Sequence, residues 1–304
     1  MGRDIKRRPG GLRRRVLALV AVVALFGVAC GDDGDGSAAD DGSTATNEST
    51  GSDAATIMIT DQGIEAPEML AGDGGEITVV NETDAAADAQ FVNLDGTDLA
   101  QFSEDMIVVL EGGPYPDYFE SAGGVGVVTP EEPVTAALSL PAGRYAVFST
   151  EGGAEPTPDT IAEVEVTEDG PGLPETDGSV SASDYAFDTD LAAGPQSVTF
   201  VNEGPDQWHH MVLQEFPEGT TEAEARSAIE TAFALPEGEA PPEGTPVPED
   251  VTASAVFGPG NSGTLELDLD ADRQYFIGCF IGDTTGGPPH AIANDMWDVF
   301  TPGA

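Results

Sequence analysis

Lysine is almost missing from this 304-residue chain. It occurs once, at Lys6, and seven of the ten basic residues precede position 16. Beyond Cys30 only Arg144, Arg226 and Arg273 stand against 55 acidic residues. Such a surface repels phosphate backbones and anionic headgroups, which argues against nucleic-acid binding and against peripheral membrane attachment. It suits a partner with a basic surface, or solubility in a saline habitat. Histidine occurs three times and cysteine twice. No nucleophile–base pair stands out, and the carboxylates are too evenly scattered to nominate a catalytic two, so the sequence does not read as an enzyme. Long apolar runs are absent too. The longest, "VLALVAVVALFGVA" at 16–29, has fourteen residues, short for a membrane span.

That run follows a basic "MGRDIKRRPGGLRRR" and ends at small residues before Cys30, the pattern of a secretory signal. "GVAC" followed by "GDDGDGS" resembles a bacterial lipobox, although Gly27 stands where Leu or Val is usual. The resemblance implies lipidation at Cys30 after cleavage; plain secretion is the alternative. "LRRRVLA" also has a twin-arginine look that a merely basic segment explains equally well. Residues 31–53 contain no large apolar side chain and are rich in Asp, Gly, Ser and Thr, so they are expected to form a disordered acidic linker. The chain is thus expected on the extracytoplasmic face of a cell membrane, held only through its N-terminal lipid, or secreted.

The remainder, roughly 250 residues, repeats a plan. "IEAPEMLAGDGGEITVVNETDAAADAQFVNL" at 64–94 matches "YAFDTDLAAGPQSVTFVNEGPDQWHHMVLQEF" at 185–216. Each has a short strand, an "AG" turn, an alternating strand ending Val-Asn-Glu, a polar loop and another strand. "LSLPAGRYAVFST" echoes "LDLDADRQYFIGCF", and aligning Tyr145 with Tyr275 sets Ser149 opposite Cys279. Period-two alternation between Gly/Pro/Asn/Asp turns predicts an all-β protein of two tandem sandwiches, at 54–168 and 181–304, joined by a linker at 169–180. One short helix interrupts each: "DLAQFSEDMIVVL" after Asp98, and "AEARSAIETAFAL" behind a Thr221/Glu224 capping box.

All three histidines lie in the second sandwich. "QWHHMVL" places His209 and His210 at a strand start; Cys279, His290 and Met296 follow in "CFIGDTTGGPPHAIANDM". One upstream His, then Cys, His and Met close together, is the order of a mononuclear type 1 copper site. A thiolate and two imidazoles form its trigonal set, with a weak axial thioether. Alternation puts His209, Met211 and Leu213 on one strand face and turns His210 to the other, where it is expected to tie down the Cys loop. Each residue also has an ordinary reading, as a buried structural Cys, a surface His or a core Met. An exported unpaired thiol, however, needs a partner or protection, and metal ligation protects it.

On these residues the second sandwich resembles the cupredoxins, the family of plastocyanin and azurin. "HHMVL" fits the family's first copper motif with His209 as ligand, and residues 279–296 look like its Cys…His…Met loop. The resemblance implies two cupredoxin-like Greek-key sandwiches and one copper held by His209, Cys279, His290 and Met296. It also implies electron exit through His290. The Cys-to-His and His-to-Met spacings exceed those of small electron carriers. Zinc on the Cys and two His is the less favoured ion, since such a site usually recruits a carboxylate or a second Cys rather than Met. Binuclear, trinuclear and nitrite-reducing centres need more Cys or His than the chain has. From 56 to 166 there is neither, so the first sandwich is expected to lack a metal. The reading that follows is an electron-transfer module with an unknown redox partner. The alternatives are a copper storage or delivery protein exchanging copper with a donor or acceptor, and a metal-free interaction protein.

Overall fold

The structure, a computed structural model, describes residues 54–94, 96–110, 113–130, 132–150, 156–236 and 239–303. The signal segment, the acidic linker and Cys30 lie outside the described residues. No helix among those described is long and apolar enough to cross a membrane.

The N-terminal half contains β1 (Ala55–Thr60), β2 (Gly63–Glu65), β3 (Met69–Leu70), β4 (Gly75–Asn81), β5 (Ala87–Asn93), α1 (Leu99–Leu110), β6 (Glu120–Val128), β7 (Val134–Leu138), β8 (Gly143–Phe148) and β9 (Ala162–Val166). The C-terminal half contains β10 (Gly178–Ser183), β11 (Ala186–Asp190), β12 (Gly194–Asn202), β13 (Val212–Glu215), α2 (Glu222–Ala234), β14 (Asp250–Ala253), β15 (Ser262–Leu269), β16 (Tyr275–Gly278), α3 (His290–Ala293) and β17 (Trp297–Phe300). The mostly-β architecture and both expected helices are present. Asp98 Oδ1 caps α1 by accepting the Gln101 N–H at 2.9 Å, and the Thr221/Glu224 box closes α2 from both sides.

The repeat is visible in strand pairing. In one half β1 runs parallel to β4, and in the other β10 runs parallel to β12, each with a hairpin partner on its far side. Asn81 and Asn202 end the alternating strands and fold the loops that follow. Asn81 Nδ2 donates to the carbonyls of Ala85 and Val128, and Asn202 Nδ2 to those of Gln207 and Phe257. Each amide thereby ties the loop after its strand to a neighbouring strand or bridge.

What repetition alone does not indicate is how the halves join. The sheets β2-β1-β4-β7 and β11-β10-β12-β15 meet edge to edge through Leu138 and Gly263, making one eight-stranded sheet. Two further sheets, β14-β13-β16-β17 and β3-β9-β8-β5-β6, complete the sandwiches, and one buried apolar cluster runs through both halves. Edge pairing removes two exposed strand edges at once. The junction is tight at Gly123, whose φ of +97° admits only glycine comfortably and where an added Cβ would stand 2.1 Å from the Phe257 ring. Phe257 in turn bridges His209, its N–H bonded to the His209 carbonyl at 2.8 Å. The join between halves therefore reaches the candidate site through one residue.

Candidate metal centre

His209 enters the site from the loop that Asn202 shapes, just ahead of β13. Its backbone is held on both sides by Phe257, with N–H to O at 3.0 Å and the return bond at 2.8 Å. Cys279 directly follows β16, and the eleven-residue step to His290 returns on itself through backbone bonds. Cys279 N–H donates to the Met296 carbonyl, Ala291 N–H to the Cys279 carbonyl, and Met296 N–H to the His290 carbonyl, at 3.2, 2.8 and 3.2 Å. These bonds lash the Cys, His and Met positions together without help from a bound ion.

The side chains converge. Cys279 Sγ lies 3.5 Å from His290 Nδ1 and 3.9 Å from His209 Nδ1, and the ligand atoms of the three residues lie within 4.8 Å of one another. Metal–sulfur and metal–nitrogen bonds of about 2.0–2.3 Å sharing one ion set S···N separations of roughly 3.6–3.8 Å. The donors therefore fit a common ion. His209, Cys279, His290 and Met296 are all essentially without solvent contact.

Electrostatics agree with a preformed, dry site. Burial pushes the Cys279 thiol up to about 12. Burial, and then the neighbouring His290, lower His209 to about 4, against a smaller opposing pull from Asp283. Burial also lowers His290, with Asp283 opposing it. Without metal the imidazoles are neutral and the thiol keeps its proton, so an incoming cation has one proton to displace.

His210 points away from this group. Its Nε2 accepts the Phe280 N–H at 2.8 Å, fixing the backbone immediately after Cys279. The bond ties down the start of the loop that Cys279 opens. Two neighbours had no sequence signal strong enough to be singled out. Asp283 Oδ1 lies 3.1 Å from His290 Nε2 and also accepts the Tyr185 hydroxyl at 2.8 Å. Asp283 sits inside the Cys–His loop, where a carboxylate about one third of the way from thiol to imidazole could have been noticed. Tyr185 lies about a hundred residues upstream, on a β10–β11 turn where both Asp184 and Tyr185 take positive φ, 43° and 66°. Its ring meets His290 edge-on at 5.0 Å between centroids.

His290 is buried, with Asp283 and Tyr185 standing over it. The Pro/Gly-rich loop folds its carboxylate against the ring. By contrast, His209 Nε2 is buried with no hydrogen-bond partner among the described residues, close against Gly204, where an added Cβ would come within 3.4 Å.

The N-terminal half shows what the same place becomes without ligands. β5 and β8 pair in the register that β13 and β16 use, Asn93 with Tyr145 as Glu215 with Tyr275. Ala87 then stands where His209 stands, Asp88 where His210 stands, and Ser149 where Cys279 stands. Asp88 Oδ1 accepts the Thr150 N–H, as His210 accepts that of Phe280. The structural tie is kept in both halves and the donor set in one.

No protein-family model and no curated protein matches the chain. Solved structures do. A dithionite-reduced auracyanin from Roseiflexus castenholzii is 24% identical, covering 41% of this chain and 95% of its own, with a TM-score of 0.25. Auracyanin A, a "blue" copper protein of Chloroflexus aurantiacus, is 18% identical over 37% of this chain and 98% of its own, TM-score 0.26. The blue copper oxidase of Nitrosomonas europaea is 13% identical over 82% of this chain and 84% of its own, TM-score 0.23. The donor types decide which ion fits. A soft thiolate and two imidazoles with a thioether beside them match copper better than calcium, magnesium or manganese, which prefer oxygen.

Proposed function

We propose that this protein is an extracytoplasmic electron-transfer module that binds one type 1 copper through His209, Cys279, His290 and Met296, and that it is not itself an enzyme. The observation that carries the reading is the convergence of the Cys279 thiol and two imidazole Nδ1 atoms in a site closed to solvent. Copper held there supplies one-electron chemistry between Cu(I) and Cu(II). The chain supplies rigidity: backbone bonds among Cys279, His290 and Met296 and the His210–Phe280 tie hold one arrangement for either charge. The sequence's three histidines are accounted for by two in the site and one in that tie, leaving none for a further copper cluster.

Electron exchange is proposed at the surface over His290, formed by Asp283 and Tyr185. Asp184 and Asp206 contribute to the acidic field at Tyr185. That rim suits a redox partner with a basic face. The N-terminal half is proposed as a cover rather than a second centre. Its Tyr115 N–H donates to the Thr284 carbonyl at 3.0 Å, and Tyr115 packs on Trp208 at 4.4 Å, walling the Cys–His loop. Export and the lipid anchor at Cys30 belong to the same proposal.

Storage or delivery uses the same ligands, but full burial of the donors leaves an acceptor no ligand to approach. The test pairs cyclic voltammetry with a Cu(I) chelator challenge. A reversible one-electron wave with slow loss of copper supports transfer. Rapid surrender of Cu(I) with no reversible wave supports delivery.

A further inference from the structure

A partly open cavity of about 260 Å³ lies between the two sandwiches beside the metal centre, with Asp283, the neighbour of His290, among its lining residues. The strand alternation that points His209 and Met211 into the core points His210 and Val212 the other way. In the N-terminal half Asp88, Gln90 and Val92 occupy the matching face of β5, and all five residues line the cavity. The two equivalent strands thus face each other across a shared space, closed by α1 at Val109 and by aromatic side chains including Trp208 and Phe148.

Its polar groups are mostly committed. Asp88 accepts from Gln90 Nε2, from Ser149 Oγ and from the N–H and hydroxyl of Thr150. Gln90 Oε1 accepts the Val256 N–H at 3.0 Å. His210 adds a donor of fixed position. Because Nε2 accepts a backbone N–H, the neutral ring carries its proton on Nδ1, and that N–H has no acceptor among the described residues. A largely apolar, aromatic-walled chamber with a fixed donor at His210 and carboxylates at its edge disfavours anions and rewards a neutral ring bearing an acceptor.

We propose that this cavity binds a small, neutral, flat molecule of quinone size, its carbonyl accepting a hydrogen bond from His210 Nδ1. The site is independent of which ion, if any, the neighbouring centre holds. Duroquinone is a suitable probe: its ring is fully substituted and does not add thiols, and quinones quench tryptophan emission. Titrated into the metal-free full chain, it is expected to quench Trp208 saturably. The quench should disappear in Trp208→Phe, which leaves only Trp297. Cavity filling by Val109→Phe, or by Ala253→Leu should the first variant fail to fold by circular dichroism, should weaken binding by about tenfold or more, equivalent to about 1.4 kcal/mol. Durene, the same shape without carbonyls, should compete at least about tenfold more weakly. Linear, unsaturable quenching, quenching that survives Trp208→Phe, or unchanged affinity in a folded cavity-filling variant would overturn the site. Equal competition by durene would overturn the assigned hydrogen bond.

Discussion

His210 Nε2 takes the N–H of Phe280 at 2.8 Å, so the residue beside one candidate ligand anchors the residue beside another. Replacing His210 with Ala leaves that N–H without its acceptor. Stability is expected to fall by about 1–3 kcal/mol, the usual range for a stranded buried donor. Copper affinity is expected to fall by about 10–100-fold, since the Cys279 backbone loses its tie. Urea denaturation of the metal-free protein and competitive copper titration read the two effects separately.

Asp283 and His290 make the second prediction. The carboxylate 3.1 Å from His290 Nε2 favours the more positive, oxidised state of an ion on that ring. Asp283→Asn is therefore expected to raise the reduction potential by tens of millivolts. Tyr185→Phe, which removes a donor from Asp283 and strengthens the carboxylate's hold on His290, should move it the opposite way and less. Voltammetry of the two variants checks both signs.

The metal-free protein should be most stable between the ranges where its site groups resist ionisation. Burial lowers His209 to about 4 and His210 to about 3, below the ordinary 6.5. The unfolded chain therefore binds more protons below pH 6.5, and stability falls as pH drops from there towards 4. Cys279 is raised to about 12 from 9.0, so the unfolded thiol ionises first and stability also falls as pH rises from 9 towards 12. Melting temperature against pH should show both slopes. Cys279→Ser should abolish the site's share of the alkaline slope and leave the acid slope in place.

Gly123 carries a fourth prediction. A Cβ there meets the Phe257 ring at 2.1 Å with φ at +97°, and Phe257 holds His209 on both backbone sides. Gly123→Ala is expected to destabilise by about 1–3 kcal/mol and to weaken copper binding, although Gly123 lies in the half without ligands. Unchanged copper affinity in a destabilised variant would separate the interface from the site.

Much of this was legible in the sequence because it depends on local periodicity and residue type. Alternation marked the strands and sent His209 and His210 to opposite faces. The capping box marked α2, and the Tyr145/Tyr275 match set Ser149 against Cys279, as the observed register does. What was not legible depends on tertiary approach. Nothing local indicates that the edges at Leu138 and Gly263 would pair, or that Tyr185 would reach Asp283 across about a hundred residues. The burial of His290 has no local signal for the same reason. A Pro/Gly-rich loop is usually a surface feature, and only the fold shows that this one turns back through its bonds to Cys279 and Ile281.

The most direct test is the visible spectrum of the full chain loaded with Cu(II), beside that of Cys279→Ser. Coordination by the Cys279 thiolate predicts intense blue or green colour in the native chain and none in the variant. A colourless native protein with copper bound, or a spectrum indifferent to the loss of the thiol, would contradict the account.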